Sequence, residues 1–395
     1  MKTYGYRGFD RAGRVCRGLV EALNVKEARE KLAAEGTLAE RITLSGRRMN
    51  FPAEGRAIVY RELSALLGAG VPLVRALDNL IQSPELGPVH LLLAGVRDRV
   101  REGMPLAAAL GEASGSVSAF ETAIIDAAER SATVEATLER LASFLEEQER
   151  LREKVQAALI YPLIVLSMGI CVAVVMLGLL LPRARNIVEG GQMTLPALTR
   201  FMIAFGALTM RWGLAALLAG SLAVAWLRMR LKRDPRWREQ WDRRMLGLPF
   251  FGRGYTLLVN LRFARTLGIL LGGGVSLIES VVLAGRATGS EYTSGRAKEA
   301  AEAVRHGSSL ADAVRNIPPL ADSLPGWLQI GEASGDLQRL LDSAARRYQA
   351  QWERFVARGL SILEPALILV IGGFVLLVTV SVLLPILSLT RAVGR

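Results

Sequence analysis

The chain repeats itself. The element Arg61-x-Leu63-x-x-Leu66-Leu67-Gly68-x-Gly70-Val71-x-Leu73 returns 204 residues later as Arg265-x-Leu267-x-x-Leu270-Leu271-Gly272-x-Gly274-Val275-x-Leu277. At the same spacing Val100-Arg101-x-Gly103-x-x-Leu106-Ala107 becomes Val304-Arg305-x-Gly307-x-x-Leu310-Ala311. One residue is lost further on, so that Gln148 and Gln351, Tyr161-Pro162 and Glu364-Pro365, and Leu181-Pro182 and Leu384-Pro385 stand 203 apart. Chance yields one such coincidence but not a series in nearly constant register. The fold must therefore be one that can be built twice in tandem.

Punctuation inside each copy says what kind of unit is repeated. Gly70 and Gly103 are 33 residues apart, as are Gly274 and Gly307, and each is followed two residues on by Pro72, Pro105, Ser276 or Ser309. Glycine just past a helix takes the left-handed conformation without a Cβ penalty. Proline then suits the first turn of the next helix, and serine can cap it. Short antiparallel helices joined by tight turns follow, which is a helical bundle. Strand signals are confined to the first 45 residues. Gly272-Gly273-Gly274 reads as one of these turns and not as a phosphate loop, since no Lys-Ser/Thr follows it and no strand precedes it.

Both copies end in a charged helix-forming stretch free of Gly and Pro, 134–152 and 337–358, that runs into an apolar segment. Residues 160–181 carry no charge, and 363–387 carry only Glu364. Each exceeds the roughly 20 residues that a helix needs to cross hydrocarbon. A third apolar stretch, 201–227, contains Arg211; placing its core between Trp212 and Trp226 puts the rings near opposite interfaces and lets Arg211 snorkel outward. Two parallel bundle-plus-span units need a return crossing between them, and this middle span supplies it.

The predicted fold class is thus an all-α membrane protein, with two tandem cytoplasmic helical bundles as parallel repeats and three transmembrane helices. Its parts are an N-terminal segment (1–45), the first bundle (46–159), span one (160–182), a periplasmic loop (183–207), span two (208–227), the second bundle (228–361), span three (362–387) and a short periplasmic tail (388–395). Basic residues set this orientation. Arg150, Arg152 and Lys154 precede span one; Arg228 to Arg244 supply eight after span two; Arg346, Arg347, Arg354 and Arg358 precede span three. The polar N-terminus has no apolar segment of signal-peptide type.

Composition agrees. With 51% hydrophobic residues the chain cannot be disordered, yet 49 Lys+Arg and 37 Asp+Glu are too many for a protein that lies mostly in lipid. The net charge of +12 gathers beside the spans without an aromatic ladder, which fits anionic lipid headgroups and topology better than nucleic acid. Cys16, Cys171, His90 and His306 offer neither a disulfide framework nor zinc-ligand spacing. Walker, metal and nucleophile-elbow motifs are missing, so no cofactor and no enzymatic activity are expected. The spans hold no polar residue at their centres, which counts against a transporter or channel subunit. A membrane-anchored signalling adaptor is the other alternative from a different class.

Four features together carry a family resemblance: the repeated Leu-x-x-Leu-Leu-x-x-Gly-Val-x-Leu-type element, Gly331-Glu332-Ala333-Ser334-Gly335, Glu364-Pro365, and Leu248-Pro249-Phe250-Phe251-Gly252. With the opening Tyr4-x-Tyr6-Arg7-x-x-Asp10-x-x-Gly13-Arg14 and Gly18-x-x-Glu21-Ala22, the chain resembles the inner-membrane platform proteins of type II secretion and type IV pilus machines, the GspF/PilC family. The resemblance implies six-helix bundles and a scaffold in the bacterial inner membrane that couples a cytoplasmic secretion ATPase to pseudopilin assembly and protein export, or to pilus assembly. It implies as partners the ATPase, pilin-like subunits, other inner-membrane secretion components, membrane lipids and further copies of the chain. Candidate partner-interface residues are Arg7, Arg11, Arg14, Arg75, Arg101, Arg305, Glu129, Glu332 and Glu364; Gly70, Gly103, Gly274, Gly307, Gly331 and Gly335 are candidate turn residues. The first copy has Ala128-Glu129-Arg130-Ser131-Ala132 where the second has Gly-Glu-Ala-Ser-Gly, which weakens the expectation of a tight turn at Ala128 and Ala132.

Overall fold

A computed structural model describes residues 2–9, 13–44, 50–176, 178, 197–249, 251–320 and 322–393. They divide into two compact units, Met1–Arg152 with Leu246–Gln349 and Glu153–Met245 with Ala350–Arg395.

The first unit opens with a small sheet. Strands β1 (Lys2–Phe9), β2 (Val15–Ala22) and β3 (Leu38–Leu44) pair antiparallel in the order β2-β1-β3, with helix α1 (Val25–Ala34) between β2 and β3. Successive strand residues face opposite sides. Tyr4, Val20, Ala22 and Ile42 gather against Ala28 of α1, while Gly5 faces the other way, where a Cβ would collide with Leu91 of the first bundle.

That bundle comprises α2 (Ala53–Gly68), α3 (Leu73–Gln82), α4 (His90–Arg101), α5 (Leu106–Ala113), α6 (Ala119–Ser131) and the long α7 (Val134–Val175). Helices α8 (Ala197–Arg233) and α9 (Pro235–Leu246) lead to the second copy. It repeats the six-helix plan as α10 (Phe251–Gly272), α11 (Leu277–Ala287), α12 (Glu291–Arg305), α13 (Leu310–Arg315), α14 (Leu324–Ser334) and α15 (Leu337–Val393).

The turns follow the glycine pattern. Gly70, Gly103, Gly274 and Gly307 have φ of 78°, 92°, 81° and 94°. All four close alike: the next residue's N–H donates to the carbonyl five positions back, Val71 to Leu66, Met104 to Arg99, Val275 to Leu270 and Ser308 to Ala303, each at 3.0 Å. Pro72 and Pro105 then take the N-cap position, and Ser276 and Ser309 accept from the N–H groups of Glu279 and Asp312.

At the α6–α7 turn the doubt raised by the missing glycines is resolved against it. Ala132 adopts φ 56°, the positive φ of its counterpart Gly335 (73°), and is the one non-glycine residue to do so among the described residues. Thr133 closes on Ala128 at 2.9 Å just as Asp336 closes on Gly331 at 3.1 Å. The tight turn therefore survives with alanine in a strained conformation. Gly331 is not itself a turn residue. It lies within α14, where a Cβ would stand 3.1 Å from the Leu337 Cα, and so permits a close approach.

Helix α7 and the Leu337–Leu384 part of α15, whose ends beyond Arg152 and Gln349 belong to the second unit, are long and apolar enough to cross a membrane; α8 makes a third crossing if its arms Ala197–Gly213 and Leu218–Leu231, bent by 51°, form one span. Helix α8 begins inside the segment expected to be a loop, and residues 179–196 of that segment's surroundings lie outside the described set. Ile371 packs where a Cβ on Gly169 would come within 2.7 Å. Val378 and Met202 are buried together with Met176 and Phe374 around them. Beyond α8, the Arg230 guanidinium is 5.0 Å from the Trp226 ring centre and 4.6 Å from that of Trp237, which stacks on Trp241. Such paired aromatic and cationic side chains suit the polar edge of a bilayer.

Candidate functional site

Glu129 lies near the end of α6 and reaches across to the start of α5. Its two carboxylate oxygens accept from the N–H groups of Leu106 and Ala107 at 2.6 and 3.0 Å. Glu332 does the same from α14 to α13, taking Leu310 and Ala311 at 2.6 and 3.2 Å. The first N–H groups of a helix have no partner within it, and its dipole favours negative charge there. Each glutamate thus clamps two helices of its own bundle, a structural duty that occupies both oxygens.

Because consecutive helices alternate in direction, the turns at Gly70, Gly103 and Ala132 share one end of the first bundle, and those at Gly274, Gly307 and Gly335 share one end of the second. Arg75 and Arg101 are exposed at these turns. Arg305, the counterpart of Arg101, pairs with Glu302 at 3.0 Å, both half exposed. In the sheet, Arg7 lies 3.5 Å from Glu40 and Arg14 is exposed. Arg11 and the side chain of Glu364 lie outside the described set. The structure therefore gathers Arg75 and Arg101 at one turn end and Arg7 on the sheet.

Sequence reasoning missed the seam between the copies. Arg61, which opens the repeated element, reaches Glu139, Ser143 and Glu146 on α7 of its own bundle. Its counterpart Arg265 pairs instead with Glu147, which belongs to the other copy. Nearby, Arg140 donates to the Gly272 carbonyl, and Ile124 fills the space at Gly273, where a Cβ would be 2.7 Å from its Cγ1. The core of the first bundle extends to Ile269, Leu270, Val275 and Leu283 of the second. Burying each such side chain is worth roughly 1.5–3 kcal/mol before entropic losses, so apolar area dominates the seam, with one ion pair crossing it.

Beside the seam is a cleft of about 290 Å³ lined by Arg56, Phe120, Glu121, Phe144 and Gln148 of the first copy and by Leu283 and Arg286 of the second. Glu121 anchors its floor. The Tyr60 hydroxyl donates to it at 3.0 Å, Arg56 Nε lies 2.9 Å away, and the Ser118 N–H and hydroxyl donate at 3.2 and 2.9 Å. Arg56 also donates to the Phe51 carbonyl. Burial, reinforced by the charge of Glu121, pushes the Tyr60 phenol well above its ordinary pKa.

A duplicated six-helix bundle whose copies share a core, with each copy ending in a helix apolar enough to enter a membrane, defines a membrane-anchored scaffold. The comparisons make the class specific. The family described as "Type II secretion system (T2SS), protein F" matches residues 59–182 and again 263–385, and the family's N-terminal domain matches residues 1–39. The two matched segments start 204 residues apart, the spacing of the repeat. Type II secretion system protein F of Vibrio cholerae is 28% identical and that of Pseudomonas aeruginosa 30% identical, each over the full length of both chains. The type IV pilus assembly protein PilC of Thermus thermophilus is 30% identical over 98% of each. The chain belongs to the type II secretion system protein F family.

Proposed function

We propose that this chain is the inner-membrane platform of a type II secretion system, coupling a cytoplasmic secretion ATPase to pseudopilin assembly and protein export. The observation that carries this reading is the continuity of α7 and α15. Each starts at the turn end of a bundle and continues without a break into a membrane-long apolar stretch. Because the copies also share a core, a push on either bundle is passed to both helices. Type IV pilus assembly is the second reading, supported by the PilC relatives. In both readings the chain acts as a mechanical part without catalysis, residues 1–159 and 228–361 face the cytoplasm, and the C-terminus faces the periplasm.

Deleting the gene should abolish export of the secreted substrate, and the wild-type chain should restore it. The detergent-solubilised chain should co-purify with the cognate ATPase. Export that continues after deletion, or the absence of a complex both with and without residues 1–45, would sink the coupling. Reporter fusions at residues 195, 240 and 395 test the orientation, since a cytoplasmic signal at 395 breaks the three-span arrangement.

A further inference from the structure

The N-terminal sheet holds like charges side by side. Its register sets Arg7 and Arg41 abreast across β1 and β3, and the next row on that face sets Val15, Phe9 and Leu38 abreast. Phe9 is 40% exposed, Val15 55% and Leu38 77%. Like charges directly opposite one another in a sheet destabilise it, and a three-stranded sheet has little stability to spare. Glu40 is 3.5 Å from Arg7 in a pair that is half exposed on both sides, which offsets little. The other side of the sheet is covered by α1. On the side that carries Arg7, Leu91 docks at Gly5. Among the described residues, Arg7, Arg41, Val15, Phe9 and Leu38 are exposed on that face, an apolar strip beside two arginines.

We infer that this exposed strip is a docking surface for an acidic, apolar-anchored segment of a protein partner: carboxylates seat on the two arginines and an apolar side chain seats on Val15, Phe9 and Leu38. The inference rests on the ATPase-coupling reading and names the chemistry by which the ATPase is held. A repulsion that weakens the free sheet becomes an attraction when the acidic segment arrives. Removing the arginines should therefore leave folding intact or improve it while weakening binding, a combination that a purely structural role does not produce.

The test uses the full chain in nanodiscs and the purified cognate ATPase. Arg7→Gln with Arg41→Gln should weaken binding at least tenfold and flatten its dependence on salt, with an unfolding temperature equal to or above that of the wild type. Leu38→Ser should weaken binding without changing the salt dependence. Arg296→Gln, remote on α12, should change neither. Wild-type binding that the arginine and Leu38 variants leave unaltered overturns the docking face but keeps the coupling. If the wild-type chain binds no ATPase, the coupling reading falls, and a photo-crosslinker at Leu38 in secreting cells decides the docking face separately. An adduct to an acidic segment of an identified secretion component, lost in the Arg7→Gln/Arg41→Gln chain, supports it. Adducts to lipid alone, or none, overturn it.

Discussion

Ala132 holds a conformation that its counterpart Gly335 adopts freely. A left-handed backbone costs an L-residue roughly 1–2 kcal/mol, and glycine returns part of that gain through the greater entropy of its unfolded chain. Ala132→Gly should therefore raise stability by about 0.5–1 kcal/mol, and Gly335→Ala should lower it by a similar amount, both read as shifts in the thermal unfolding of the solubilised chain. Opposite signs at equivalent positions isolate the backbone, because no Cβ contact is near Gly335. Tyr60 makes a pH argument at the same scale. Its folded pKa lies above the unfolded value of about 10, so above pH 10 the folded state holds more protons than the unfolded one, and stability falls as pH rises through the folded pKa. Tyr60→Phe should remove part of that alkaline loss. It should also cost roughly 1 kcal/mol at neutral pH, because Glu121 loses a donor while buried. An alkaline unfolding curve unchanged in Tyr60→Phe would show that other groups govern it.

At the scale of elements, the glutamate clamps join helices that are short. Helix α13 spans only Leu310–Arg315, too few residues to be stable by itself. Glu332→Ala removes two charge-assisted bonds from its N-terminus, and a loss of about 2–3 kcal/mol is expected. Hydrogen exchange should find the Leu310 and Ala311 amides losing protection first, while amides of α12 change little. Glu129→Ala should do the same at Leu106 and Ala107. These elements also show what could be read beforehand. The four glycine turns were legible because glycine at a helix end has a local cause and effect, whereas the count of six helices came with the family resemblance. The turn at Ala132 was not, since there the surrounding helices impose a conformation that the residue itself disfavours. The bend in α8 and its early start at Ala197 were obscured for a similar reason: hydropathy reports which residues avoid water, not where a helix bends. The clamps were half legible, the repeated Glu129 and Glu332 being conspicuous while their partners, 22 to 23 residues away at the nearest bond, were not.

For the whole molecule the informative comparison is between the two arginines of the repeated element. Sequence treats Arg61 and Arg265 as equivalent, yet one stays within its bundle and the other crosses the seam. Only the three-dimensional pairing of the copies distinguishes them, because Glu147 is 118 residues from Arg265. The surroundings differ accordingly: Gly273 and Leu283 are buried in the seam, whereas their counterparts Ala69 and Asn79 are exposed. The seam is therefore specific to the order of the copies, and if the platform moves as one body its integrity should matter for export more than for the folding of either bundle. Glu147→Arg should weaken the seam by placing like charges together, and Arg265→Glu should do so too. Combining the substitutions restores opposite charges at the same two positions. Export should fall in each single variant and recover substantially in the double one, the signature of a direct pair. Gly273→Val offers an independent route, since it wedges the copies apart at Ile124 without altering charge, and no second charge substitution should rescue it. Double-variant export as low as that of the worse single variant would mean that the ion pair does not hold the copies in register, leaving the shared apolar core to do so alone.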